Sequence, residues 1–370
     1  MKVVQLLPDL DGGGVERGTL EVAEELVKRG HESIVISAGG RMVKQLEAEG
    51  SRHVTWDLGT KSFWTFRHVW ALRRWLKQEK PDILHVRSRL PAWIAWFAWK
   101  GMNPNERPRL VTTVHGLYSV SKYSGVMCKG ERVIAVSKTV EAYIRNNYPE
   151  TDMGNVRLVY RGIDPQEFPL GYQPSEEWLE KWRSDFPQLE GKKVITLAGR
   201  LTRLKGHNDL IDMIKVLVAQ GMPVHALIVG GEDAKRKAYA EELYSRVNDE
   251  GLSEHITFTG ARSDIRDIYS VSDLVLSLST KPESFGRTVA EAIGQGVPVV
   301  GYDHGGVGEI LTALYPLGKT PLNDADQLVK TVSEVLESGV RPHGNPEFLK
   351  TTMLDKTLAV YGELVNDFTE

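Results

Sequence analysis

Along this chain, short apolar runs alternate with segments whose apolar residues recur at helical spacing, as when strands and amphipathic helices are taken in turn. Residues 2–7 are apolar and β-branched enough for a buried parallel strand. The turn Asp11-Gly-Gly-Gly-Val-Glu16 comes next, then a helix predicted over 17–28 that stops at Gly30, then a strand over 32–37. This is a βαβ-like opening. A helix is predicted over 63–80, with Val69, Leu72 and Leu76 facing the core. Phe63, Phe66 and Trp70 fall on a neighbouring face with Arg67, Arg74 and Lys77. Strands over 82–86, 110–115 and 132–137, an aromatic helix over 92–99 and a helix over 139–147 complete the first half.

The pattern breaks after Val159, where Gly162-Ile-Asp-Pro165, Pro169, Gly171 and Pro174 form a linker-like passage. A second series then restarts. It predicts strands over 193–199, 224–229, 256–259, 274–278 and 297–301, and helices over 208–220, 234–250 and 265–270. A further helix opens after Glu283 and stops at Gly296, with Pro298 just beyond. Alternating β and α in both halves predicts an α/β chain of two Rossmann-like, doubly wound domains with a cleft between them. The expected bounds are 1–168 and 169–351. The last helix, over 355–368 within a terminal segment 352–370, is expected to pack back on the first domain.

A length of 370 residues exceeds one compact core and fits two domains. No run of about eighteen uncharged apolar residues occurs, so no membrane span is expected. Met1-Lys-Val-Val-Gln-Leu-Leu-Pro8 lacks the long apolar segment of a signal peptide. The lone Cys128 excludes an intrachain disulfide framework and a thiolate metal cluster, which fits a reducing cytoplasm. The net charge of −3 conceals an asymmetry. Between Lys61 and Arg109 eleven Lys or Arg face only Glu79, Asp82 and Glu106, and Trp56 to Trp99 holds seven of the nine Trp. One reading puts several of these Trp in the core. The other places Arg67, Trp70, Arg73, Arg74 and Lys77 at an anionic membrane surface or a phosphorylated acceptor.

The chemistry centres on Glu283-Ser-Phe-Gly-Arg-Thr-Val-Ala-Glu291. A strand, a polar loop and a helix aim free N–H groups and a positive dipole end at whatever lies over the sheet, which suits a phosphate. Glu291 lies roughly 9 Å into the helix at 1.5 Å per residue, about the reach from a diphosphate to the ribose of the same nucleotide. Glu283 flanks the other side. Gly199-Arg-Leu-Thr-Arg-Leu-Lys-Gly206 also follows a strand, and its Arg200 and Lys205 supply the cations a leaving diphosphate requires. The reading is a nucleotide-sugar site. The glycines of Asp11–Glu16 do not match G-x-G-x-x-G, since Arg17 stands at the third place; they are either a tight turn or a close backbone approach to a ligand. His115-Gly116 closes a strand, where open α/β sheets bind ligands. Asp9-Leu-Asp11 looks like a metal-binding pair, but Arg200 and Lys205 make a metal unnecessary, and none is expected.

Gly199–Gly206 and the Glu-x7-Glu of 283–291 resemble the retaining family-four glycosyltransferases of the GT-B fold. Gly306-Val-Gly-Glu309 and Gly-Gly-Val-Glu at 13–16 strengthen the likeness, which covers essentially the whole chain. The resemblance implies that Arg200 and Lys205 bind the donor diphosphate and Glu291 the ribose. It implies that Glu283 touches the transferred sugar and that Phe285, Gly286 and Arg287 present backbone amides to the phosphates. Gly13 and Gly14 would close over the diphosphate, and His115 would contact the sugar near the breaking bond. Gly230 and the edge 260–262 with Arg262 would line the donor. The implied reaction is retaining, metal-independent hexosyl transfer by front-face substitution. Its donor is a nucleotide diphosphate sugar and its acceptor a glycan or lipid-linked glycan, in lipopolysaccharide or surface-polysaccharide synthesis. The lone cysteine and the basic face lead to the expectation of a cytoplasmic protein, peripheral on the inner face of the membrane. Neither a cofactor nor a nucleic-acid partner is expected. Arg161 stands where the family commonly has Asn, and Ser279-Thr-Lys-Pro-Glu283 is a variant loop. A nucleotide-sugar 2-epimerase, a nicotinamide dehydrogenase and a non-catalytic sugar-nucleotide binder are the competing readings.

Overall fold

The computed structural model describes residues 1–60, 62–232 and 237–366. Of the positions named above, Lys61, Ala234, Phe368 and the side chain of Phe63 lie outside the described residues. Two compact units divide the chain, one of Met1–Tyr160 with the segment from Thr351 onward, the other of Arg161–Lys350.

The first unit holds seven strands: β1 (Lys2–Leu6), β2 (Glu32–Ser37), β3 (Arg52–Thr55), β4 (Ile83–Val86), β5 (Arg109–Val114), β6 (Arg132–Ala135) and β7 (Val156–Leu158). They lie in the order β3-β2-β1-β4-β5-β6-β7, and every neighbouring pair is parallel. A parallel sheet buries both faces of its strands, which is why Val3, Val4, Ile34, Val35 and Ile36 form unbroken apolar runs. The glycine turn feeds directly into the first helix, Gly14–Lys28, so this helix starts three residues before its apolar pattern does. The segment expected as one helix over 63–80 is a 3-10 turn, Phe63–Arg67, followed by the α-helix His68–Glu79.

The terminal helix Lys350–Asn366 packs on this unit. Met353, Leu354, Leu358, Tyr361 and Leu364 join Val3, Leu26, Ile83 and Val111 in one apolar cluster. Polar pins fix its register. The Tyr361 hydroxyl lies 2.6 Å from His85 Nδ1, and His85 Nε2 lies 2.7 Å from Thr113 Oγ1, all buried. Glu363 pairs with Arg132 and Arg157, each at 2.8 Å. Burial pushes the Tyr361 phenol up to about 12 and drives the His85 imidazole well below its ordinary value.

The second unit has six strands: β8 (Lys193–Ala198), β9 (Val224–Val229), β10 (Ile256–Gly260), β11 (Leu274–Ser277), β12 (Val299–Tyr302) and β13 (Lys319–Thr320). Their order is β10-β9-β8-β11-β12-β13, again parallel throughout. In both sheets the chain first builds outward from its opening strand, then crosses over and builds the other way. The reversal falls between β1 and β4 in one unit and between β8 and β11 in the other. Loops leaving the carboxyl ends of two such strands diverge and leave a crevice. The motifs around Arg200 and Glu283 lie on the two loops that diverge in the second unit.

Candidate functional site

Two loops build the site in the second unit, one after β8 and one after β11. Gly206 lets them meet. Its φ is 73°, and a Cβ there would lie 2.1 Å from the carbonyl oxygen of Leu278. The Thr280 N–H donates to Leu204 O at 2.9 Å, which zips the loops together. From this joint Lys205 Nζ reaches Glu283 Oε1 at 2.7 Å. The Ser279 hydroxyl donates to the same oxygen. His304 supports the loop from behind by donating from Nε2 to Ser279 O at 2.7 Å, and Gly306 N–H donates to Glu283 O at 2.8 Å.

Burial alone would raise the Glu283 carboxyl. The Lys205 ammonium, the Ser279 hydroxyl and nearby His304 outweigh it and hold the group below its ordinary range. Glu283 is thus a fixed anion with one oxygen committed. Arg200 stands exposed on the loop that carries Lys205, with no ion pair among the described residues. A half-shielded ammonium and an open guanidinium at one strand end are an anion-binding pair.

The helix behind Glu283 is Arg287–Gly294, with Gly286 as its N-cap. No backbone acceptor is recorded for the N–H groups of Phe285, Gly286 and Arg287 among the described residues, so they remain donors at a helix start. Phe285 itself is buried against Phe348, their ring centroids 5.7 Å apart. Glu291 differs from the open carboxylate its spacing promised. It is only 6% exposed, and Arg287 Nε donates to its Oε1 at 2.8 Å. The fully buried Tyr269 lies close, its phenol driven well above the ordinary value by burial first and by Glu291 second. Arg287 therefore brings a side chain as well as a backbone amide to the site. The role of that side chain was readable in the i, i+4 spacing to Glu291.

Other expected contacts fare differently. Gly230 donates its N–H to Gly260 O at 3.0 Å, and a Cβ on it would lie 1.9 Å from Gly199 O. The glycine is needed for two backbones to approach, and its amide is not open to a ligand. Arg262 forms a two-toothed pair with Asp264, at 2.9 and 2.5 Å, and Trp178 Nε1 donates to the same carboxylate at 2.8 Å. These bonds fix the orientation of the Arg262 guanidinium. In the first unit, Gly13 and Gly14 are exposed at the start of the helix Gly14–Lys28, and a Cβ on Gly14 would meet nothing within 4 Å. His115 follows β5, and its N–H donates to the Tyr118 hydroxyl at 3.3 Å. No group of three or more His, Cys, Asp or Glu among the described residues could hold a metal ion. Asp11 is tied to Arg41, whose N–H donates to Asp11 Oδ1 at 3.2 Å.

Arg67, at the end of the 3-10 turn, and Trp70, Arg74 and Lys77 on the basic helix recur at i, i+3, i+7 and i+10, and all four are exposed. Trp70 is 69% and neighbouring Trp64 75% exposed. Arg73 does not belong to that face. It turns inward to donate to Ala98 O and Phe97 O, both at 3.1 Å, and caps the helix Arg89–Lys100. No helix among the described residues is long and apolar enough to cross a membrane.

Comparison with known proteins matches both units. Residues 12–167 fit the family described as Glycosyltransferase Family 4, and residues 179–345 that described as Glycosyl transferases group 1. The chain is similar to a crystal structure of a glycosyltransferase from Rickettsia africae ESF-5, with 27% identity, a TM-score of 0.84 and 98% of each chain covered. Anabaena Alr3699/HepE in complex with UDP shares the fold at 20% identity, with a TM-score of 0.76, covering 100% of this chain and 98% of that one. Spore coat protein SA of Bacillus subtilis (strain 168) is 24% identical over 318 residues, 82% of this chain and 80% of its own length.

Proposed function

Since this chain belongs to the glycosyltransferases of the GT-B, family-four type, we propose that it moves a hexose-type sugar from a nucleotide diphosphate sugar to a glycan or lipid-linked acceptor, with retention and without a metal ion. The observation that carries this reading is the Lys205–Glu283 pair, set at the strand crossover beside the open Arg200 and the free amides of the helix Arg287–Gly294. Arg200, Lys205 and those amides receive the diphosphate. Negative charge grows there as the glycosidic bond breaks, and fixed donors lower the barrier without reorganising. UDP bound to a protein of the same fold supports a nucleotide donor.

Glu283 is a poor nucleophile in this setting, because an ammonium and a hydroxyl already hold one of its oxygens. That favours front-face substitution through an oxocarbenium-like transition state. Glu283 then stabilises the developing positive charge and positions the sugar, while the departing phosphate oxygen takes the acceptor's proton. Glu291, oriented by Arg287, holds the ribose. The exposed Trp64 and Trp70 and the cations of the turn and helix over 64–79 favour an acceptor at an anionic membrane surface, in lipopolysaccharide or surface-polysaccharide assembly on the cytoplasmic side.

The test is turnover of UDP-glucose, GDP-mannose and ADP-glucose in the presence of EDTA, followed by proton NMR. Release of one nucleotide diphosphate, with the α-anomer of the transferred or hydrolysed sugar appearing first, is the expected result. A β-anomer product, loss of turnover in EDTA, or an isomerised intact donor would overturn the reading, the last in favour of a 2-epimerase.

A further inference from the structure

We propose that Arg89 binds an anionic substituent, a phosphate or a carboxylate, on the glycosyl acceptor. The inference rests on the glycosyl-transfer reading above. β4 and β5 are adjacent parallel strands, and the loops at their carboxyl ends carry Arg89 and His115. Arg89 is the first residue of the helix Arg89–Lys100, whose N-cap Ser88 makes no side-chain capping bond.

The guanidinium is held in a built cradle. Its Cζ sits 4.8 Å from the ring centroid of Tyr118 and 5.6 Å from that of Tyr123. Nη1 donates to Ser124 Oγ at 3.2 Å, and the Ser124 hydroxyl donates to Ser119 O at 2.9 Å. Tyr143 braces the loop by donating to Tyr118 O at 2.8 Å. The Tyr118 hydroxyl accepts the His115 N–H, so the ring that carries Arg89 is also bonded to the residue expected beside the transferred sugar.

What the cradle lacks is an anion. No carboxylate pairs with Arg89 among the described residues, although other arginines of this unit, Arg109 and Arg132, pair with Glu131 and Glu363. The guanidinium is half-buried against two aromatic rings, and Ser124 takes only one of its donors, so the rest are left for solvent or a ligand. A planar fork is matched in geometry by a carboxylate or phosphate, and it is pre-organised here to receive one. Nothing in the donor chemistry uses this residue, and it lies on the unit that does not carry Arg200, Lys205 or Glu283.

The experiment titrates the full chain with glucose 6-phosphate, glucuronate and glucose by calorimetry, for the wild type, Arg89→Gln and Arg89→Lys. At least one charged probe should bind the wild type about tenfold or more tightly than glucose. That advantage should vanish in Arg89→Gln and shrink in Arg89→Lys, which keeps the charge but loses the planar fork. Phosphate preferred over carboxylate, or the reverse, identifies the substituent. UDP affinity is measured on the same three proteins and should be equal, which shows the variants folded. If UDP fails to bind even the wild type, the donor reading fails separately, while the comparison of charged with neutral sugars still reports on Arg89. Equal binding of all three sugars, no binding of either charged probe, or an unchanged advantage in Arg89→Gln overturns the proposal.

Discussion

At the scale of single residues, the site turns on Lys205 and Glu283, each of which holds the other in place. Lys205→Ala removes a cation from the diphosphate position and leaves a half-buried carboxylate without its partner. UDP affinity should fall by roughly tenfold or more, read by calorimetry. Glu283→Gln keeps the shape and removes the charge. Turnover should drop by about a hundredfold or more, with UDP affinity changed far less, because the carboxylate acts on the sugar and not on the phosphates. Equal losses of UDP binding in both variants would contradict this division of labour. Arg200, Lys205 and Glu283 were legible in the sequence as groups on loops following strands. Their mutual pairing was not, since it depends on the approach of Gly206 to Leu278, a contact between loops far apart in the chain. The partners of Arg73, Arg262 and Gly230 were not legible for the same kind of reason. Each meets a local partner, a helix end, Asp264 and Gly199 respectively, that only the folded backbone presents.

Among the elements, the helix His207–Ala219 carries the loop of Arg200 and Lys205 at its start, and its first residue is a fully buried histidine. Burial pushes His207 down to about 4, and it does the same to His225 in β9. Because the folded values lie below the unfolded value of 6.5, the unfolded chain binds more protons between pH 6.5 and 4. Stability of this unit should therefore fall as pH drops through that window. Each histidine should contribute up to about 1.4 kcal/mol per pH unit. Denaturant unfolding at pH 7 and pH 5 should show a shallower pH dependence for His207→Gln than for the wild type, and an unchanged slope would contradict the assignment. The strongly periodic strands and helices were readable because parallel sheets bury continuous apolar runs. The helices Glu176–Asp185, Gly305–Leu314 and Ala325–Ser338 were not foreseen. The first lies just past the proline- and glycine-rich passage, and the second begins with two glycines, which are weak helix formers. The third buries a stripe of Leu328, Thr331, Val332 and Val335, one of them polar.

For the whole molecule, two parallel α/β units and the family they belong to were legible, because the βα alternation restarts after a break and the site motifs recur at strand ends. The basic aromatic face of the first unit is a property of the assembled surface, and its prediction belongs here. Replacing Arg67, Arg74 and Lys77 together by Glu should reduce binding to phosphatidylglycerol vesicles by at least about tenfold, measured by co-sedimentation, with no loss of UDP affinity. Vesicle binding that ignores the charge reversal would rule out a membrane role for this face. The account as a whole depends on where the nucleotide sits. A crystal structure of the protein with bound UDP tests this most directly. The account predicts the diphosphate against Arg200, Lys205 and the amides of Phe285, Gly286 and Arg287, with the ribose on Glu291. UDP bound away from the loops after β8 and β11, with Glu291 still enclosed by Arg287 and Tyr269 and touching no nucleotide, would contradict it.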